Sequence, residues 1–135
     1  MATQSTAAQR EESLVSLPTG PVGYVALLAA VITGVAHLLL GVQVLGFSQT
    51  MGVLFLLNGL GFLGGSLLYV SRYWRPELYL VAAGYAVVTI LAFFAVQGVG
   101  PGAFYTRAGD LNPLAVVSKA AELVLAVLAV YLYRE

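Results

Sequence analysis

The residues of this sequence with the chemistry to act in a water-poor setting are few: His37, Asn58, Lys119 and Glu122. Thr33, Tyr85 and Thr89 are weaker polar neighbours. Lys119 and Glu122 are three residues apart, a spacing that lets an ammonium and a carboxylate meet on one helix. In a proton-handling reading Glu122 would be the proton acceptor, Lys119 its charge partner and His37 a relay. Other chemistries lack their parts. With no cysteine there is no disulfide, thiolate ligand or thiol nucleophile. The single histidine rules out bis-histidine haem, and a His37–Met51 pair is disfavoured because the two lie at different depths. Zinc or copper would need more nitrogen or sulfur ligands than the chain has. No serine or threonine forms a nucleophile arrangement with His37. No catalytic residue, metal or cofactor is therefore expected, and the chain reads as a non-enzyme.

The elements that must position these groups are apolar. Hydrophobic residues make up 60% of the 135 and charged ones only 9%, where a soluble domain carries roughly a quarter charged. Six basic and six acidic side chains cannot solvate such a surface, so lipid is the expected solvent. A net charge of zero gives no reason to expect nucleic acid. Four stretches reach the ~20 residues needed to span hydrocarbon: Val22 to Val44, Thr50 to Val70, Leu78 to Val96 and Leu114 to Tyr133. The expected fold is all-α, a four-helix transmembrane bundle of up-down topology over 21–135. Residues 1–20, polar and aperiodic, read as a disordered tail and not as a secretory signal. Asn112-Pro113 supplies a cap and a first helical residue for the fourth span, and Pro76 plays a similar part for the third.

Counting inward from one end of the bundle at ~1.5 Å per residue places His37, Asn58, Lys119 and Glu122 in one layer, with Thr89 near that depth. Intramembrane ionisable groups are costly, by about 2.5–3.5 kcal/mol on insertion scales, so each needs a partner or a role. Small residues share their faces. Ala30, Gly34, His37 and Gly41 recur at spacings of three and four, as do Ala115, Lys119, Glu122, Ala126 and Ala129. Gly61 and Gly65 form a small-xxx-small pair beside Asn58. The helix-packing glycines are thus expected to be Gly34, Gly41, Gly61 and Gly65. The run Gly59-Leu-Gly-Phe-Leu-Gly64 matches a dinucleotide fingerprint only in letters, because no strand precedes it and no acidic residue follows at the required distance.

Arg10, Arg72, Arg75 and Arg134 fall on one side and Arg107 on the other, so both termini are expected in the cytoplasm of a cell-membrane protein. Arg107 and Asp110, at the tip of the Gly/Pro-rich loop from Gln97 to Pro113, read as a solvated pair; the loop is long enough to act as a lid.

The segments Gly34-Val-Ala-His-Leu-Leu-Leu-Gly41, Phe55-Leu-Leu-Asn-Gly-Leu-Gly-Phe-Leu-Gly-Gly65 and Asn112-Pro-Leu-Ala-Val-Val-Ser-Lys-Ala-Ala-Glu122, with the ending Tyr131-Leu-Tyr-Arg134, resemble small four-span membrane proteins of haloarchaea. The resemblance covers nearly the whole chain after residue 20. It implies a fold and a location, and it brings no assigned activity or catalytic residue.

Two readings follow. One is a structural or accessory membrane subunit in which the polar layer of His37, Asn58, Thr89, Lys119 and Glu122 holds helices together. Its expected partners are the bilayer and a second copy or another membrane protein. The alternative is a minimal transporter or proton-linked sensor using that layer. Hydrogen-bonded side chains closed off by apolar residues favour the first, and a polar cavity reaching the surface favours the second.

Overall fold

The computed structural model describes residues 14–106 and 108–135. Four helices account for most of them: α1 (Pro21–Leu45), α2 (Gln49–Tyr69), α3 (Glu77–Gln97) and α4 (Pro113–Arg134). Every boundary falls within one residue of the sequence expectation, because the start and stop chemistry is explicit. Pro21 and Pro113 occupy the first turn of their helices, where a missing N–H costs nothing. The Ser48 hydroxyl accepts from Met51 N–H at 3.3 Å, and the Asn112 side chain accepts from Ala115 N–H at 3.4 Å. Gly98 ends α3 with φ of 91°, a left-handed conformation that glycine adopts freely.

The helices run 21–25 residues, or ~32–38 Å at 1.5 Å per residue. All four are long and apolar enough to cross a membrane. The expected all-α, four-helix architecture is borne out.

Contacts between glycines and the facing helix show how α1 and α2 run. A Cβ on Gly34 would meet the Gly59 carbonyl oxygen at 3.2 Å, one on Gly41 the Leu56 nitrogen at 3.1 Å, and one on Gly52 the Leu45 nitrogen at 2.8 Å. Residue numbers rise on one helix as they fall on the other, so the pair is antiparallel with its backbones almost touching. Further seams join α1 to α4 and α4 to α3, and among the described residues no comparable seam joins α2 to α3. The core is mainly alanine: Ala26, Ala29 and Ala30 of α1 face Ala121 and Ala126 of α4, with Phe62, Ala86 and Leu125 completing it. Small side chains let helices approach closely enough for dispersion to accumulate over many weak contacts.

The connections are more ordered than their composition suggests. Most of the expected disordered tail, residues 1–13, lies outside the described residues. Its last part departs from that expectation: Ser16 N–H donates to the Val70 carbonyl at 2.7 Å, and Arg72 N–H donates to that of Leu14 at 3.2 Å. This antiparallel bridge between Val15 and Ser71 fixes the approach to α1 against the α2–α3 turn. At the opposite end of the bundle the loop after α3 forms a short 3-10 turn, Pro101–Phe104, and then a bridge between Tyr105 and Leu111. Phe104 packs on Phe93 and Phe94 at centroid distances of 5.2 and 5.9 Å. The expected Arg107–Asp110 pair involves a residue outside the described ones.

Candidate functional site

Glu122 is fully buried on α4, and both of its carboxylate oxygens are engaged. Lys119 Nζ, one turn earlier, donates to Oε1 at 2.6 Å, and the Thr33 hydroxyl of α1 donates to Oε2 at 2.6 Å. The first bond is local to α4; the second ties α4 to α1. Lys119 is itself buried, and its ammonium lies 5.0 Å from the centroid of the Phe93 ring of α3, a cation–π contact.

His37 follows Thr33 by one turn, and the proton count defines its role. Thr33 has a single hydroxyl proton, which goes to Glu122. The 3.2 Å contact between Thr33 Oγ1 and His37 Nδ1 therefore cannot take its proton from Thr33. His37 Nδ1 lies 2.9 Å from the Thr33 carbonyl oxygen, which only accepts, so Nδ1 carries the ring proton and donates it there. Glu122 Oε2 is 3.8 Å from Nδ1, beyond a hydrogen bond. The imidazole is otherwise enclosed by aromatic rings, with Phe55 and Phe62 of α2 each at 5.8 Å.

Asn58 and Thr89, expected in the same layer, belong to a separate network between α2 and α3. Thr89 gives its hydroxyl proton to the Tyr85 carbonyl at 2.8 Å and accepts from Asn58 Nδ2 at 3.2 Å. The Tyr85 hydroxyl donates to the Asn58 carbonyl at 3.0 Å. Asn58 Oδ1 is buried with no partner among the described residues. The layer thus divides in two: Thr33, His37, Lys119 and Glu122 join α1 to α4, and Asn58, Tyr85 and Thr89 join α2 to α3. Among the described residues no three His, Asp or Glu side chains gather as metal ligands.

The glycines divide as well. Gly34 and Gly41 lie in the α1–α2 seam, opposite Gly59 and Leu56. Gly61 instead makes room for the Tyr85 hydroxyl, which a Cβ there would strike. Gly65 faces open space: a Cβ added there would meet nothing within 4 Å. Sequence reasoning missed Gly52 and Gly59, whose seven-residue spacing matches that of Gly34 and Gly41 and was the available signal.

The open space is a lateral groove between α2 and α3, of about 160 Å³. Ala26 and Ala30 of α1 and Leu125 and Ala129 of α4 form its floor. The Tyr85–Gly61 contact pinches one end. At the other, Tyr69 and Tyr79 meet through their hydroxyls at 3.3 Å, and Trp74 packs edge-on against both, at 4.9 and 5.2 Å. A second depression, between Phe94 and Phe104, is shallow and apolar.

The chain belongs to a family of unknown function, DUF7475, which matches residues 8–133. No curated protein and no solved structure matches it.

Proposed function

We propose that this member of the family is a non-enzymatic, multi-pass protein of the cell membrane, serving as a structural or accessory subunit, with both termini in the cytoplasm. The haloarchaeal four-span proteins that its segments resemble are in keeping with this reading. The observation that carries it is the saturation of Glu122. A carboxylate with both oxygens engaged, at zero exposure, acts as an interhelical clasp. Neither the groove nor the shallow depression is lined by Thr33, His37, Lys119 or Glu122. Arg72 and Arg75 in the α2–α3 turn and Arg134 at the end of α4 support the orientation through the positive-inside rule.

The transport reading draws on one observation, the proximity of His37 Nδ1 to Glu122 Oε2 at 3.8 Å. Reconstituted vesicles under an imposed pH gradient distinguish the two. On the clasp reading, wild-type protein and Glu122→Gln dissipate the gradient no faster than empty vesicles. A wild-type leak that Glu122→Gln abolishes would assign the cluster to proton transfer. Because the chain has no cysteine, single cysteines report orientation cleanly. Ser71→Cys should react with an impermeant maleimide only after cells are opened, and Ala108→Cys in intact cells.

A further inference from the structure

The lateral groove between α2 and α3 has the form of a binding site for one hydrocarbon chain, and we infer that it holds a chain of an anionic membrane lipid whose headgroup meets Arg72 and Arg75. This rests on the membrane reading proposed above.

The shape selects a slender occupant. From Gly61 to Tyr69 the groove runs eight residues along α2, ~12 Å, and side chains close it at both ends. A helix is about 10–12 Å across and as long as the bilayer is thick, so a partner helix or a second copy cannot lie in a slot stopped at both ends. A single hydrocarbon chain can enter from the side, where lipid would meet the helices. Gly65 and Ala82 keep the walls low, and apart from Ser66 and the tyrosine hydroxyls, which bond to the protein itself, the lining is apolar.

The chemistry at one end selects the headgroup. Trp74 lines the groove there, and its Nε1 hydrogen is buried without a partner among the described residues. That hydrogen is covered by the protein itself, so Trp74 would meet a lipid through its ring, in the manner of indoles seated at the headgroup level. Arg72 and Arg75 flank Trp74 in sequence and are both exposed. Each arginine near an anionic headgroup favours binding by about fivefold, which is about 1 kcal/mol at tenfold per 1.4 kcal/mol. Tyr69 and Tyr79 complete an aromatic end of the kind that seats at the headgroup level.

Trp74 is the only tryptophan, so its fluorescence reports on this groove alone. The test reconstitutes the protein in phosphatidylcholine vesicles containing a fixed fraction of lipid brominated in its chains, as either phosphatidylglycerol or phosphatidylcholine. The expected result is stronger quenching by the brominated phosphatidylglycerol, with an apparent preference of at least about fivefold. Arg72→Gln with Arg75→Gln should abolish the preference while leaving quenching by phosphatidylcholine. Gly65→Leu, which fills the groove where nothing else stands, should reduce quenching by both lipids. Equal quenching by both headgroups in the wild type, unaltered by Gly65→Leu, would overturn the proposal. So would Trp74 emission that shifts with protein-to-lipid ratio and ignores the brominated lipid, which would place a second copy at the groove. Failure of the protein to float with the vesicles would instead overturn the membrane reading, and flotation is scored before fluorescence.

Discussion

One hydroxyl proton on Thr89 decides how α2 and α3 are joined. Because it is given to the Tyr85 carbonyl, Thr89 is left to accept from Asn58, and the Asn58 amide orientation follows. Among the described residues, only the Tyr85 hydroxyl reaches back to α2 within this network, at the Asn58 carbonyl. Tyr85→Phe removes that bond and should lower stability in detergent by about 0.6–1.7 kcal/mol, measured by reversible denaturant unfolding. A larger loss would mean that the ring has also moved. At this scale the sequence is partly readable. The Lys119–Glu122 pair follows from three-residue spacing, and the burial of His37 from its place among small residues. Depth counting fixes the level of a side chain but not the neighbouring helix that it faces. For that reason Asn58 and Thr89 share a level with groups that they do not touch. Thr33 carries no charge and gives little signal in the sequence, yet it is the residue that links Glu122 to α1.

The helix seams depend on glycines that are alike in sequence and differ in what stands opposite them. Gly59 lies against the Gly34 carbonyl, where a Cβ would come within 2.8 Å of backbone oxygen. Backbone cannot swing aside, so Gly59→Leu should part α1 from α2 and cost about 1–3 kcal/mol or more as overpacking. Gly64→Ala meets nothing within 4 Å and should be neutral or stabilising by up to about 1 kcal/mol, since alanine outranks glycine in helices. Melting temperatures of the two variants, followed by circular dichroism, check the contrast. Helix number and boundaries are readable from proline, asparagine and glycine signals because capping is local. The pairing of helices is not, because four hydrophobic helices offer several arrangements of similar packing. The glycine repeat at 34 and 41, matched by 52 and 59, is the one long-range signal for the α1–α2 seam.

Across the whole molecule, burial is uneven. Within their most apolar windows α1 is 50% buried and α4 39%, against 22% for α2 and 17% for α3. The bundle is therefore a central α1–α4 pair with α2 and α3 applied to it, and the outer helices present mainly Val and Leu to their surroundings. Such a surface is stable where the surroundings are hydrocarbon. The central pair is also where the buried charges lie, so the bond between Thr33 and Glu122 fixes the register of the two helices on which the rest is built. A buried ion pair contributes little net stability against an apolar replacement, but removing one member leaves an uncompensated charge. The most direct test is a double-mutant cycle on Lys119→Met and Glu122→Gln, read as unfolding free energy in detergent micelles. Lys119→Met alone should cost about 3–5 kcal/mol, and adding Glu122→Gln should restore most of that loss. Single variants as stable as the wild type, or losses that simply add in the double variant, would contradict the buried, coupled Lys119–Glu122 pair on which the clasp is built.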